Sequence, residues 1–291
     1  MLKLFKKSSL KTINKATLDN ELETFKSCGI TGDDKDLIVS LTSFPQRMYE
    51  LHYTLYSLLT QNIKPGKIIL WLAEEEFPHL EKDIPKKVLN LRNNGLEIKW
   101  CNNIYSYKKL IPALKNYPDN IIVTADDDIF YENDWLEKLI LSHEKDKKSI
   151  ICHRAHKIKF TKEGVIASYK NWAKKIRTSA PSYFNFSTGA GGVLYPPHCL
   201  YKDILNEKLF MEFAPKADDV WFWAMALLNG TKTSVAQNCT KQLTYINPER
   251  ERGLTNELTL FQTNKKGGND LQLEKVINHY PQILDILKET E

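Results

Sequence analysis

Apolar residues along the chain gather into short runs separated by amphipathic stretches. "LIVSLT" (37–42), "KPGKIILWLA" (64–73), "GLEIKW" (95–100) and "DNIIVTA" (119–125) each carry a compact, β-branched or aliphatic run that reads as a buried strand. Between the first two lies "MYELHYTLYSLLTQ", amphipathic at helical spacing and entered through the turn "SFPQR". "YKKLIPALKNY" predicts a short helix begun or interrupted at Pro112. Strands alternating with helical patterns predict an α/β fold, a central and mostly parallel sheet with helices on both faces.

Beyond about residue 150 the pattern loosens. "SIICHRAHKIKF" predicts one or two strands, "GGVLYPP" another, and "DDVWFWAMALLNG" a helix stopped at Gly230. "NDLQLEKVINHYPQILDIL" predicts a terminal helical stretch capped by Asn269 and Asp270, and the polar segment 250–268 before it is a candidate lid. The resulting division is a basic, helical extension over 1–35 and one domain over 36–291, with halves at 36–150 and 151–291. The second half is the more variable.

Composition changes this picture little. With 291 residues, 42% hydrophobic and 11% aromatic, the chain can bury a large core. A net charge of +5 suits an anionic partner such as a nucleotide, and is too weak to argue for nucleic acid. Five scattered cysteines without a C-x-x-C point to a reducing, cytoplasmic setting. No apolar run is long enough to span a membrane. "MLKLFKKSSLKTINK" sets Leu2, Leu4 and Phe5 among lysines, either a weak foot on the inner face of the plasma membrane or a solvated terminus.

The chemistry concentrates in "VTADDDIF" (123–130). Three carboxylates in a row repel one another, yet they follow a buried strand, at the sheet edge where α/β proteins bind ligands. On an extended segment Asp126 and Asp128 would face one way and Asp127 the other. Two hard oxygen donors suit Mg²⁺ or Mn²⁺, which complete their shells with water and substrate phosphates. A solvated turn or a helix cap would also favour Asp there. Thr42, Ser43 and Arg47 end the first strand at the same edge, and Lys108 or Lys109 precedes the fourth. In "STGAGGVLY", Gly189, Gly191 and Gly192 permit close backbone approach to a ligand, or a tight bend before a strand. Asp218 and Asp219 open a helix, where carboxylates are stabilised in any protein. His153 and His156 read as structural, Arg154 between them as a contact for an acceptor or phosphate, and Trp221 and Trp223 as core.

The order of these motifs resembles the GT-A glycosyltransferases, particularly bacterial ones related to family 2 that build capsule or lipopolysaccharide. The resemblance runs through residues 36 to 140 and resumes at "TGAGGVLYPP" and "ADDVWFW". It implies a nucleotide-sugar donor, most readily a UDP-sugar, with Mn²⁺ or Mg²⁺ on Asp126 and Asp128. Thr42, Ser43, Arg47, Glu74, Lys108, Lys109, Asp126 and Asp127 would then serve the donor. Arg154, Gly191 and Gly192 would serve a glycan or lipid-linked glycan acceptor. The resemblance also implies a base from the later acidic pair; of the two, Asp219 is favoured as that base and Asp218 as the neighbour that orients the acceptor, with the exchanged roles as the alternative. "LAEEE" stands where the family usually shows an acidic-glycine-serine turn, and the Q-x-x-R-W of processive synthases is absent. The implied reaction is a non-processive, inverting transfer. Two other classes compete: a sugar-nucleotide nucleotidyltransferase, which would need a glycine-rich loop that "LTSFPQRMY" lacks, and a non-catalytic, membrane-surface glycan-binding protein.

Overall fold

The apolar runs do become strands, and the order in which they pair places the chemistry. The computed structural model describes residues 10–32, 36–254 and 268–290. The chain enters with β1 (Lys11–Thr12) and a helix Lys15–Thr24, then builds β2 (Leu37–Thr42), β3 (Lys67–Ala73), β4 (Leu96–Cys101), β5 (Ile121–Ala125) and β6 (Ile129–Phe130). The second half adds β7 (Ile150–Cys152), β8 (Ala155–Lys157), β9 (Ala173–Ile176), β10 (Asn185–Ser187), β11 (Val193–Tyr195), β12 (Thr233–Val235) and β13 (Thr244–Tyr245).

The central sheet runs β12-β7-β11-β5-β2-β3-β4. β4, β3, β2 and β5 are mutually parallel, β12 is parallel to β7, and β11 lies antiparallel between β5 and β7. The expected α/β architecture, a mostly parallel sheet flanked by helices, is therefore present. Its strands read as unbroken apolar runs because helices cover both faces: Ile68, Ile69, Leu70 and Leu72 are fully buried. The amphipathic stretch after β2 forms the helix Leu51–Leu59, with Leu51, Leu55 and Leu58 in the core.

After β2 the sheet grows toward β3 and β4; with β5 it resumes on the opposite side of β2. The carboxyl ends of β2 and β5 thus flank the topological switch point, the crevice in which open α/β sheets bind ligands. Those two ends carry Ser43 and Asp126–Asp128.

Two smaller sheets frame this edge. β1, β13 and β6 form one, and β10, β8 and β9 the other. Leu18 from the first helix packs with Tyr53 and Ile246, so the segment from Lys11 to Thr24 is tied to both halves of the chain. Among the described residues no helix is long and apolar enough to cross a membrane. Leu2, Leu4 and Phe5 lie outside the described residues.

Candidate active site

β5 ends at Ala125 and the chain turns at once, so the alternation expected of an extended Asp126–Asp128 does not hold. The turn is pinned from three sides. Asp126 N–H donates to Tyr131 Oη (2.8 Å), Thr54 Oγ1 donates to the Asp127 carbonyl (3.0 Å), and Ile246 N–H donates to the Asp128 carbonyl (3.0 Å). All three carboxylates line one cleft of about 1080 Å³. Asp127, expected to turn aside, instead accepts from Ser43 Oγ (2.6 Å) and pairs with Arg47 (3.4 Å). Arg47 also holds Asp128 Oδ2 at 2.7 Å. The residues ending β2 therefore grip the turn after β5.

Lys109 joins this edge to the opposite wall. Its backbone carbonyl accepts from Ser40 Oγ on β2 (2.6 Å), and its buried ammonium lies 2.9 Å from Asp126 Oδ1 and 3.0 Å from Asp218 Oδ2. Asp218 and Asp219 open the helix Asp218–Leu228, whose apolar body, including Trp221 and Trp223, is core as expected. Asp219 Oδ1 accepts the Gly189 N–H (3.1 Å).

Carboxylates outnumber their local cations, and burial magnifies the imbalance. Burial, reinforced by Asp218 and opposed by Lys109, pushes Asp219 up to about 8. Burial raises Asp127 to about 6 against the pull of Arg47. Asp126 is raised for the same first reason, with Lys109 opposing. Glu251, which lines the cleft beside them, is raised by burial and by Asp128 to about 7.

The donor set fits a divalent cation only in part. Lys109 occupies Asp126 Oδ1 and Arg47 occupies Asp128 Oδ2, which leaves one oxygen of each carboxylate without a protein partner among the described residues. No group of three or more His, Cys, Asp or Glu among those residues is placed to hold a metal alone. Two carboxylate oxygens plus water and substrate phosphates is the shell that Mg²⁺ and Mn²⁺ commonly accept.

Several expected site residues stand elsewhere. Glu74 is exposed in the turn after β3 and is absent from the cleft lining; two residues on, Glu76 faces in and pairs with Lys108. Lys108 and Lys109 are thus both engaged by carboxylates, and neither ammonium is left over for a diphosphate. Thr42 lines the cleft while its hydroxyl bonds the Trp71 carbonyl (2.8 Å). Gly191 and Gly192 are packing positions rather than cleft lining. A Cβ on Gly191 would meet Arg154 Cβ at 2.8 Å, and on Gly192, at φ +88, it would meet Trp135 at 2.4 Å. Gly189 and Ala190 take their place on the cleft wall, which Arg154 also lines. His153 and His156 are structural: His153 bonds the Trp135 carbonyl (2.8 Å) and the Thr240 N–H (3.0 Å), and His156 accepts from the Lys175 N–H (3.1 Å).

No protein-family model matches the sequence, and no curated protein matches it. Among solved structures, the chain is similar to residues 1–349 of S. aureus TarS at 15% identity and a TM-score of 0.49, over 84% of this chain and 71% of that one. The same TarS fragment in complex with UDP-GlcNAc gives 15% identity and a TM-score of 0.47, over 84% and 73% of the two chains. A CMP:2-keto-3-deoxy-manno-octonic acid synthetase complexed with CTP gives 8% identity and a TM-score of 0.44, over 76% and 97%. Likenesses this distant assign no role to any residue here.

The cleft also holds residues that the sequence did not single out: Glu76, Tyr169, Lys174, Lys175, Tyr245 and Glu251. Glu76 was within reach of sequence reasoning, since it shares the "LAEEE" run with Glu74. Tyr169 reaches the cleft from the single turn Tyr169–Asn171 before β9, and the others through β9, β13 and the helix Pro248–Glu251, elements too short to leave a periodic signal. In the segment 250–268, the candidate lid, Arg250 is fully buried and paired with Glu50, and residues 255–267 lie outside the described residues. Asp270 does more than open its helix, Asn269–His279: its carboxylate accepts from Ser168 Oγ (2.6 Å) and the Tyr169 N–H (2.7 Å).

Proposed function

We propose that this protein is a metal-dependent GT-A glycosyltransferase that moves one sugar, with inversion, from a nucleotide-sugar donor to a hydroxyl of a bacterial surface glycan. The observation that carries the reading is the facing of two carboxylate sets across one cleft, Asp126–Asp128 and Asp218–Asp219, spanned by Lys109 at 2.9 and 3.0 Å. The switch-point position of the cleft supports a nucleotide ligand. The acceptor class, the UDP-sugar and the single-sugar mode rest on the family resemblance.

In this reading Arg47 and Ser43 fix the carboxylates of Asp127 and Asp128 at the end of β2. Asp126 and Asp128 would hold Mn²⁺ or Mg²⁺, which offsets charge on the diphosphate when bound. Asp219 accepts the proton of the acceptor hydroxyl as that oxygen attacks the anomeric carbon. The bond from that carbon to the diphosphate breaks, and its electron pair leaves with the nucleoside diphosphate. A carboxyl raised to about 8 binds a proton well enough to serve as a base near neutral pH, and the Gly189 N–H orients it. Asp218, anchored by Lys109, orients the acceptor.

The test is thermal denaturation across UDP-, GDP-, CMP- and dTDP-sugars, with Mn²⁺ and with EDTA. One nucleotide class should stabilise the protein in Mn²⁺ alone, by about 2.7 kcal/mol at 100 times its dissociation constant. If no nucleotide sugar shifts the transition in either condition, the reading is wrong.

A further inference from the structure

Charge is segregated along the cleft. At the end formed by the sheet edge, Arg47, Lys108 and Lys109 are all consumed by ion pairs with the surrounding carboxylates. The wall built by the second half contributes Arg154, Lys170, Lys174, Lys175 and Lys216 to the lining, against Asp218, Asp219, Glu251 and Asp270; Asp218 is paired with Lys109, and Asp219 faces the other carboxylates beside Gly189. Asp270 is already occupied by Ser168 and Tyr169. Arg154, Lys170, Lys174 and Lys175 form no ion pair among the described residues, and Arg154 Nε is buried without a hydrogen-bond partner.

The backbone is bent to produce this wall. Within β9, alternation would send Lys174 and Lys175 to opposite faces. Lys175 instead adopts φ +52 where the β8–β9 register shifts, and both lysines line the cleft. Strained backbone of this kind persists where the surroundings demand it, and it clusters at ligand sites. Lys174 is steered by Tyr169, with its ammonium 3.3 Å from the ring centroid. The cations crowd one another: buried His156 beneath them is pushed down to about 3, by burial first and then by Arg154 and Lys174. Burial and then Arg154 lower Lys174 to about 8, so it remains charged at neutral pH.

We propose that this wall recognises an acceptor bearing a phosphate group, which Arg154, Lys174 and Lys175 hold while the acceptor hydroxyl points to Asp219. The inference rests on the glycosyltransferase reading of the same cleft. Arg154 is one short step from the base: its carbonyl accepts the Thr188 N–H (3.0 Å), and the next N–H, of Gly189, holds Asp219. The donor's phosphates belong at the other end, with Asp126 and Asp128. A neutral glycan would leave the uncompensated cations unanswered; a phosphate accepts charge-assisted hydrogen bonds from all three.

Calorimetric titrations of wild type and a Lys174→Gln/Lys175→Gln variant test this, with glucose 6-phosphate, inorganic phosphate, methyl glucoside and UDP plus Mn²⁺ as probes. Both lysines are exposed, so the variant should fold as wild type does. Wild type should bind glucose 6-phosphate and not methyl glucoside, and the variant should bind it about tenfold or more weakly with UDP affinity unchanged. Phosphatidylglycerol vesicles that compete with glucose 6-phosphate would place the phosphate on a lipid headgroup. Competition by inorganic phosphate without competition by vesicles would place it on the glycan; either supports phosphate recognition. Equal glucose 6-phosphate binding by the two proteins overturns the proposal, as does loss of UDP binding in the variant, which would assign the lysines to the donor. If wild type binds no UDP while the lysine-dependent phosphate binding persists, the glycosyltransferase reading fails and the anion site stands.

Discussion

Replacing Lys109 with Met removes the ammonium that spans the two carboxylate sets while keeping the stem that fills its buried slot. The backbone anchor to Ser40 survives, because it uses the residue 109 carbonyl. What is lost is the pairing of Asp126 at 2.9 Å and Asp218 at 3.0 Å, in a position only 6% exposed. Removing one partner of a buried ion pair costs about 3–5 kcal/mol, a large share of a typical total of about 5–15 kcal/mol. The cost should depend on pH in a definite sense. Asp126 and Asp219 have folded-state values raised above the unfolded 3.8, so their protonated forms favour the fold, and stability falls as pH rises through the folded values, to about 8 for Asp219. Without Lys109 those values rise further and the fall steepens. Urea denaturation at pH 5 and pH 8.5 should show the variant's deficit growing with pH, to about 3–5 kcal/mol at the higher value. Saturating Mn²⁺ at pH 8.5 should restore part of the loss by neutralising Asp126. A variant as stable as wild type at both values would mean that the Lys109 pairs carry no weight and that the carboxylates are solvated.

Three further outcomes follow from the same geometry. Asp219→Asn should lower turnover by roughly 10²–10⁴-fold with donor affinity unchanged, in a steady-state transfer assay; wild-type activity should rise with pH through about 8, and the variant's residual activity should not. Gly192→Ala places a Cβ 2.4 Å from Trp135 at a left-handed φ, and should destabilise by about 1–3 kcal/mol or more in urea while leaving the metal dependence of any nucleotide binding intact. His153→Phe strands the Thr240 N–H and should cost about 1–3 kcal/mol, with no effect on metal binding.

What the sequence made legible was whatever is local and periodic. The apolar runs at 37–42 and 119–125 named β2 and β5, and the aspartates that follow β5 marked the sheet edge where the cleft opens. The same logic overreached by one step: extending the strand's alternation to Asp126–Asp128 sent Asp127 away from the site, whereas the chain turns after Ala125 and Arg47 gathers Asp127 and Asp128 together. Glu74 fails for a related reason, since β3 ends at Ala73 and a tight turn rotates Glu76 inward. For Gly191 and Gly192 the backbone freedom of glycine left a ligand approach and a tight bend equally open, and the resemblance chose the ligand; the bulk they accommodate is Trp135 and Arg154, 56 and 37 positions away along the chain for Gly191. Lys109 shows the limit most plainly. Its role comes from being within 3.0 Å of Asp218, more than a hundred residues later, a distance that no local pattern encodes.

The measurement closest to the central claim is calorimetric titration of UDP into wild type and Asp128→Asn, each with Mn²⁺ and with EDTA. Asp128→Asn keeps the size of the side chain and a hydrogen-bonding contact for Arg47, so the fold should be unaffected. Wild type should bind UDP only with Mn²⁺, and the variant should bind no more tightly with Mn²⁺ than without. Equal UDP affinity and equal Mn²⁺ dependence in the two proteins would contradict the assignment of metal and donor to the carboxylates at the end of β5.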